Sequence, residues 1–192
     1  MTSSTQLTKA IDELSAADQN ARADAAEQIF RAGRELALRA VEKWWSDAEL
    51  ARLLLGEARE VTVGVAMGRE KFAKIRAANA VSRLAEVPSE QDAEEFELHF
   101  PEGVTLDILT SRAPGADGAI AKYLAKFEEG IQQVEFHCLD VDRATEILKE
   151  KFGVKAVYPE TRPGADGTRV NFFLVGVPEG GKILIELYEK AR

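Results

Sequence analysis

A set of side chains able to do acid–base or ligand-binding chemistry recurs at alternate positions of short apolar stretches. Glu60 and Thr62 alternate with Val61, Val63 and Val65. Glu97 and His99 alternate with Phe96, Leu98 and Phe100, and Asp107 with Leu106 and Ile108. Further along, Gln133, Glu135 and His137 alternate with Val134, Phe136 and Cys138. Arg169 and Asn171 alternate with Val170, Phe172 and Leu174, and Glu186 with Ile185 and Leu187. A strand turns successive side chains to opposite faces, so this parity predicts one apolar face under helices and one polar face. If the polar faces line a shared cleft, so many carboxylates cannot all stay ionised there. They would need a bound cation, Arg169, a protonated histidine, or raised pKa values. In a half-exposed sheet the same polar face would simply meet water.

Periodicity outlines the elements that must position these residues. Arg59–Met67 reads as a strand, Arg69–Ala80 as a helix and Ser82–Val87 as a short strand. Glu94–Phe100 and Val104–Thr110 read as a hairpin about Pro101–Gly103. A connector, 112–130, carries a short helix over Ala119–Phe127. The order then returns: strand Gln132–Leu139, helix Asp142–Phe152, and strands Val154–Tyr158, Thr168–Val177 and Lys182–Tyr188. Strand–helix–strand–strand–strand thus occurs twice. The expected fold class is α+β: tandem βαβββ modules, 58–111 and 131–190, forming a half-open barrel after a small all-α segment.

Residues 1–57 read as that helical extension and 58–192 as the barrel domain. Gly33 is expected to separate one helix from the next. Ser46 is expected to cap a last short helix with Glu49 as its capping-box partner, and Gly56 to end it. Trp44 and Trp45 are adjacent and so point about 100° apart. At least one should anchor the helices on the following domain, or a subunit interface.

The chain has 192 residues, 45% of them hydrophobic and 30% charged, which suits a globular core. Its net charge of -8, with no basic patch, argues against nucleic acid as a partner. No apolar run approaches the ~20 residues that cross a bilayer, and Met1–Gln6 is polar. The expectation is a cytoplasmic protein with neither a membrane nor a nucleic-acid partner. Cys138 is the lone cysteine. Set among apolar strand residues, it reads as a buried, inert thiol rather than a nucleophile. No phosphate-binding glycine motif and no nucleophile elbow occurs.

Three runs carry a family resemblance. Gly118-Ala-Ile-Ala-Lys-Tyr-Leu-Ala-Lys-Phe-Glu-Glu-Gly-Ile-Gln-Gln-Val is one. The others are Arg162-Pro-Gly-Ala-Asp-Gly-Thr-Arg-Val-Asn-Phe and Gly181-Lys-Ile-Leu-Ile-Glu-Leu-Tyr. Together they resemble the methylmalonyl-CoA epimerase branch of the vicinal-oxygen-chelate (glyoxalase/bleomycin-resistance) superfamily, over Glu60 to Glu189. The resemblance implies a glyoxalase-like barrel with a divalent metal held by four side chains from four strands. The metal would polarise a carbonyl while a carboxylate moves the adjacent proton. Carried over residue by residue, the ligand positions are Thr62, Asp107, Gln133 and Glu186.

Both family histidines are therefore replaced, at Thr62 and Gln133. An all-oxygen set suits Mg²⁺, Mn²⁺ or Ca²⁺ better than Zn²⁺, or the chain has lost the metal. His137 cannot stand in for Gln133, since residues four apart on a strand are ~13 Å apart.

Two functions of the barrel are expected from this, beside a third in which the amino-terminal helices are a protein-interaction surface anchored by Trp44 and Trp45. In one, the chain is an isomerase or lyase of a small oxo-acid or acyl thioester, with Glu186, Glu135 and His137 as its catalytic set. Glu186 and Asp107 would hold the cation and Glu135 would transfer the proton. Arg169, Asn171 and His99 would bind the anionic small-molecule ligand. In the other, the barrel is a non-catalytic ligand-binding or assembly module. Paired sheets of this family also make a homodimer an expectation.

Overall fold

The computed structural model describes residues 4–54, 61–113, 115, 117–178 and 180–190. Helices α1 (Ser4–Glu13) and α2 (Gln19–Ala40) come first. Asp18 starts α2: its carboxylate accepts from the Asn20 amide at 3.4 Å and the Ala21 amide at 3.1 Å. Contrary to expectation, α2 runs straight through Gly33. A Cβ at Gly33 would lie 2.6 Å from Val63 Cγ1, so the glycine serves close packing against a strand, not a helix break.

A 3-10 turn over Glu42–Ser46 leads to α3 (Ala48–Leu53). Its cap is Asp47, not Ser46. Asp47 Oδ1 accepts from the Glu49 and Leu50 amides at 3.1 and 2.9 Å, while the Ser46 hydroxyl donates back to the Lys43 carbonyl at 2.7 Å. Gly56 and Glu60 lie outside the described residues.

Contacts divide the chain into two compact units, 1–33 with 62–132 and 34–61 with 133–192. In the first, β1 (Val61–Ala66), β2 (Ala93–Phe100) and β3 (Val104–Ser111) lie in the order β2-β3-β1, with α4 (Arg69–Ala78) and α5 (Ala119–Phe127). β1 and β3 are parallel, and β2 and β3 form the expected hairpin. The amino-terminal helices are tied in. Asn79 Nδ2 donates to the Leu14 carbonyl at 3.0 Å, and Arg22 Nε donates to Asn79 Oδ1 at 3.1 Å.

The strand expected over Ser82–Val87 is absent. Ala80 turns into the left-handed region at φ 51, and the Arg76 guanidinium takes the carbonyls of Val81 and Ser82 at 3.0 and 2.7 Å. The end of α4 thus uses the groups a strand would need, and only the Ala85 amide reaches β2, at Glu95 O, 2.9 Å.

In the second unit β4 (Gly130–His137), β5 (Arg162–Pro163), β6 (Arg169–Gly176) and β7 (Lys182–Glu189) lie in the order β4-β7-β6-β5, with α6 (Val141–Phe152). β4 and β7 are parallel, and β6 and β7 antiparallel. The strand expected over Val154–Tyr158 shrinks to a single bridge, Ala156 to Phe173, and pairing resumes only at Arg162–Pro163. Pro159 and Pro163 lack the amide a continuous ladder needs.

Trp44 is buried and meets Phe173 edge-on at 6.2 Å; Trp45 is half-buried and tilts against Phe136 at 6.3 Å. Arg143 clamps Glu49 with two bonds of 2.7 and 2.9 Å, fixing α3 to α6. The expected α+β class, tandem modules after a helical segment, is the observed one, with the first module short of one strand. Among the described residues no helix is long and apolar enough to cross a membrane.

Candidate functional site

Register decides which side chains share a face, because directly paired residues in neighbouring strands point the same way. In the second unit β4 and β7 pair Gln133 with Leu184, Glu135 with Glu186 and His137 with Tyr188. β6 adds Phe172 opposite Glu186 and Leu174 opposite Leu184. β5 adds Arg162 opposite Val170, which itself pairs with Tyr188. One face therefore runs from carboxylates on β4 and β7, over an apolar strip on β6, to a cation on β5.

At its polar end Gln133 Nε2 donates to Glu186 Oε2 at 2.7 Å and to Glu135 Oε1 at 3.1 Å. Gln133 and Glu186 are buried, Glu135 half-buried. The opposite amide orientation would set the Gln133 carbonyl against two carboxylates, so electrostatics favours the N–H orientation. One amide thereby holds two carboxylates side by side. Next along the strands, the His137 ring stacks on Tyr188, with centroids 5.3 Å apart and planes 27° apart.

Several predicted residues lie elsewhere. β6 has the opposite parity from that expected. Arg169 pairs with Glu189, and Asn171 with Leu187, so both point away from the face of Glu186. The sequence is ambiguous here because both alternate sets of β6, Phe172 with Leu174 and Phe173 with Val175, are apolar. Arg169 bonds Asp142 at 2.5 Å and Glu189 at 3.3 Å. The Thr161 hydroxyl, then Arg169, hold the Asp142 carboxyl below its usual range. Asn171 is fully buried. Its Oδ1 accepts from the Phe172 amide at 2.9 Å and its Nδ2 donates to the Tyr158 carbonyl at 3.4 Å.

In the first unit Asp107 pairs with Gly64 and with Glu97, which puts Thr62, Asp107, Glu97 and His99 on one face. Thr62 and Asp107 are buried there. His99 and Glu97 are exposed, with His99 Nε2 2.9 Å from Glu97 Oε2. Cys138 is buried against the Asp140 carbonyl, and burial pushes its thiol up to about 12, which suits an inert role.

No protein-family profile and no curated protein matches the chain. Solved structures do. The methylmalonyl-CoA epimerase of Mycobacterium tuberculosis aligns with a TM-score of 0.55 at 28% identity, covering 68% of this chain and 87% of that one. A variant of the Streptomyces coelicolor enzyme, in complex with 2-nitronate-propionyl-CoA, aligns at 0.53 and 28% identity, covering 68% and 96%. The chain has the vicinal-oxygen-chelate fold. A further methylmalonyl-CoA epimerase, in complex with methylmalonyl-CoA and NH4+, aligns at 0.52 and 29% identity over 68% and 92% of the two chains. The chain thus shares its fold with these epimerases and carries a helical segment before its tandem modules.

The metal that the resemblance implies can be tested against the donor set. Gln133 and Glu186, two of the expected ligands, do meet, but as donor and acceptor of a hydrogen bond. An amide N–H has no lone pair to offer a cation. Among the described residues no group of three or more His, Cys, Asp or Glu is placed to hold a metal ion. Gln133 would join Glu186 as a ligand only with its amide turned, carbonyl inward.

Sequence reasoning missed Tyr158, Phe172 and Arg162. The Arg162 guanidinium lies 4.3 Å over the Tyr158 ring, and that ring meets Phe172 edge-on at 6.0 Å. The register of β5, β6 and β7 sets Arg162 and Phe172 on the face of Glu186. The usable signal was Pro163, which marks Arg162 as belonging to an edge strand.

Proposed function

We propose that this chain is an epimerase-like isomerase that moves a proton next to the carbonyl of a small oxo-acid or acyl thioester, using paired carboxylates. The observation that carries the reading is the Glu135–Gln133–Glu186 bridge. Two carboxylates held side by side by one amide can take a proton from a carbon and return one to it. Glu135, half-buried, is the group that takes the proton, and Glu186, positioned by the short bond from Gln133, returns one to the carbon in its acid form. His137, fixed by its stack on Tyr188, supplies a donor for charge developing on the carbonyl oxygen. Relatives of known structure named as methylmalonyl-CoA epimerases support the substrate class. Because Gln133 occupies the carboxylates as an N–H donor, no step is assigned to a metal.

A second reading, a binding module that has lost catalysis, is favoured by the same substitutions at Thr62 and Gln133. One experiment separates the two. The protein is incubated in D2O with methylmalonyl-CoA, propionyl-CoA and a set of small 2-oxo acids, and exchange of the α-proton is followed by NMR. Isomerase chemistry requires exchange with at least one substrate, lost in both Glu135→Gln and Glu186→Gln. A wild-type protein that binds a substrate without exchanging its α-proton is a binding module.

A further inference from the structure

Among the described residues, the register sets two cations on the face of Glu186: Lys182, four residues back along β7, and Arg162, at the far edge of the second unit's sheet. Arg162 differs from its neighbour in chain and space, Arg169, in a decisive way. Arg169 is spent on Asp142 and Glu189. Arg162 is exposed and, among the described residues, stacks on Tyr158 and meets no carboxylate or carbonyl. A guanidinium carries five N–H donors in a planar fork suited to carboxylate or phosphate. Stacking on a ring face leaves that fork's edge free while fixing its plane.

The ring is itself fixed. Asn171, buried, donates to the Tyr158 carbonyl at 3.4 Å, and the Val157 amide donates to Phe172 O at 2.7 Å. Tyr158 also meets Phe172 edge-on. From Glu186 to Arg162 the sheet crosses two strand spacings, ~10 Å, and steps two residues along, ~7 Å. Phe172 lies between them.

We infer that Arg162, held on Tyr158, anchors an anionic group of the ligand that lies about a dozen ångströms from the reacting carbon. This rests on the function proposed above and narrows it to carbonyl substrates that carry a second, remote anionic group. That group is either a phosphate, as in a coenzyme A thioester, or a carboxylate, as in an oxo-dicarboxylic acid. Arg162 sets affinity and does not touch the reacting atoms. Tyr158 and Asn171 are positioning residues for it.

The test is isothermal titration of wild type and Arg162→Gln with coenzyme A and, separately, with 2-oxoglutarate, beside the proton-exchange assay. Wild type is expected to bind one probe, and Arg162→Gln to bind it about tenfold or more weakly with an unchanged melting temperature. Loss for coenzyme A identifies a phosphate as the anchored group; loss for 2-oxoglutarate identifies a carboxylate. Arg162→Lys should recover little, since lysine lacks the planar fork. Tyr158→Phe should bind as wild type and Tyr158→Leu should not, a split that a merely structural role for the hydroxyl would not produce. If Arg162→Gln binds the probe as wild type while Glu186→Gln abolishes exchange, Arg162 is not the anchor and the isomerase reading survives. If wild type binds neither probe and exchanges no substrate, both fall together.

Discussion

Replacing Gln133 by leucine removes the one group that bridges Glu135 and Glu186. Gln133 and Glu186 are 6% and 9% exposed, so water cannot take over the lost bond to Glu186. A hydrogen bond to a charged group contributes about 1.5–3 kcal/mol, and a buried acceptor left without its donor loses its solvation as well. The 2.7 Å bond to Glu186 belongs at the upper end of that range. The 3.1 Å bond to the half-buried Glu135 adds little. Gln133→Leu should therefore lose about 3 kcal/mol. For a chain of this size that is roughly 6–12 °C in Tm.

Urea unfolding followed by tryptophan emission reads the effect where it occurs. Both tryptophans, Trp44 and Trp45, belong to the same compact unit as Gln133. Removing both partners should cost less than the separate losses predict, because no charge is left stranded. The double variant Gln133→Leu/Glu186→Leu should thus fall short of additivity by about 1 kcal/mol or more. A single variant within about 0.5 kcal/mol of wild type, or strict additivity, would show that the bridge carries no weight.

Gly33→Ala should destabilise the protein by roughly 1–2 kcal/mol, although alanine is the better helix former, because its Cβ would land 2.6 Å from Val63 Cγ1. Val63→Ala in the same chain should restore some of the loss, and a more stable Gly33→Ala would refute the packing argument. Cys138 in the native protein at pH 8 should resist a thiol-specific chromogenic disulfide that labels it at once in urea, since burial pushes the thiol up to about 12. Rapid native labelling would show that the site opens.

The cap of α3 gives a pH dependence. Lys151, then the Leu50 amide, lower Asp47 from its ordinary 3.8, and Arg143 lowers Glu49 from its ordinary 4.5. A lowered folded-state pKa gives stability that is complete above the ordinary value and is lost as pH falls through the lowered one. Asp47→Asn keeps a cap but not the charge, so its deficit in urea midpoint at pH 7 should shrink by pH 3. A constant gap would show that the charge is not what matters.

Much of the fold was legible because strong alternation survives in one dimension. Val61, Val63 and Val65, or Ile183, Ile185 and Leu187, leave only one face to bury. What failed were features set by neighbours. Gly33 looks like a break until Val63 is packed against it. Ser46 and Asp47 are both good caps, and which one serves depends on Lys151 reaching Asp47 Oδ2, 2.5 Å away.

The candidate site was only partly legible. Gln133, Glu135, His137 and Glu186 stand out in the sequence, and register does set Glu135 beside Glu186 on one face with Gln133 and His137. The expected cation was Arg169. A one-residue ambiguity in β6 sends Arg169 to the other face, toward α6, where Asp142 meets it. Arg162, from a two-residue edge strand too short to show alternation, takes its place on the face of Glu186.

Where the reacting carbon sits decides the chemistry. A crystal structure with 2-nitronate-propionyl-CoA, the ligand seen in the Streptomyces coelicolor relative, tests this most directly. The nitronate should lie within hydrogen-bond reach of Glu135 or Glu186, with its coenzyme tail running over Phe172 toward Arg162. A ligand bound away from Gln133 and Glu186, with their hydrogen bond undisturbed, would contradict the proton-transfer reading.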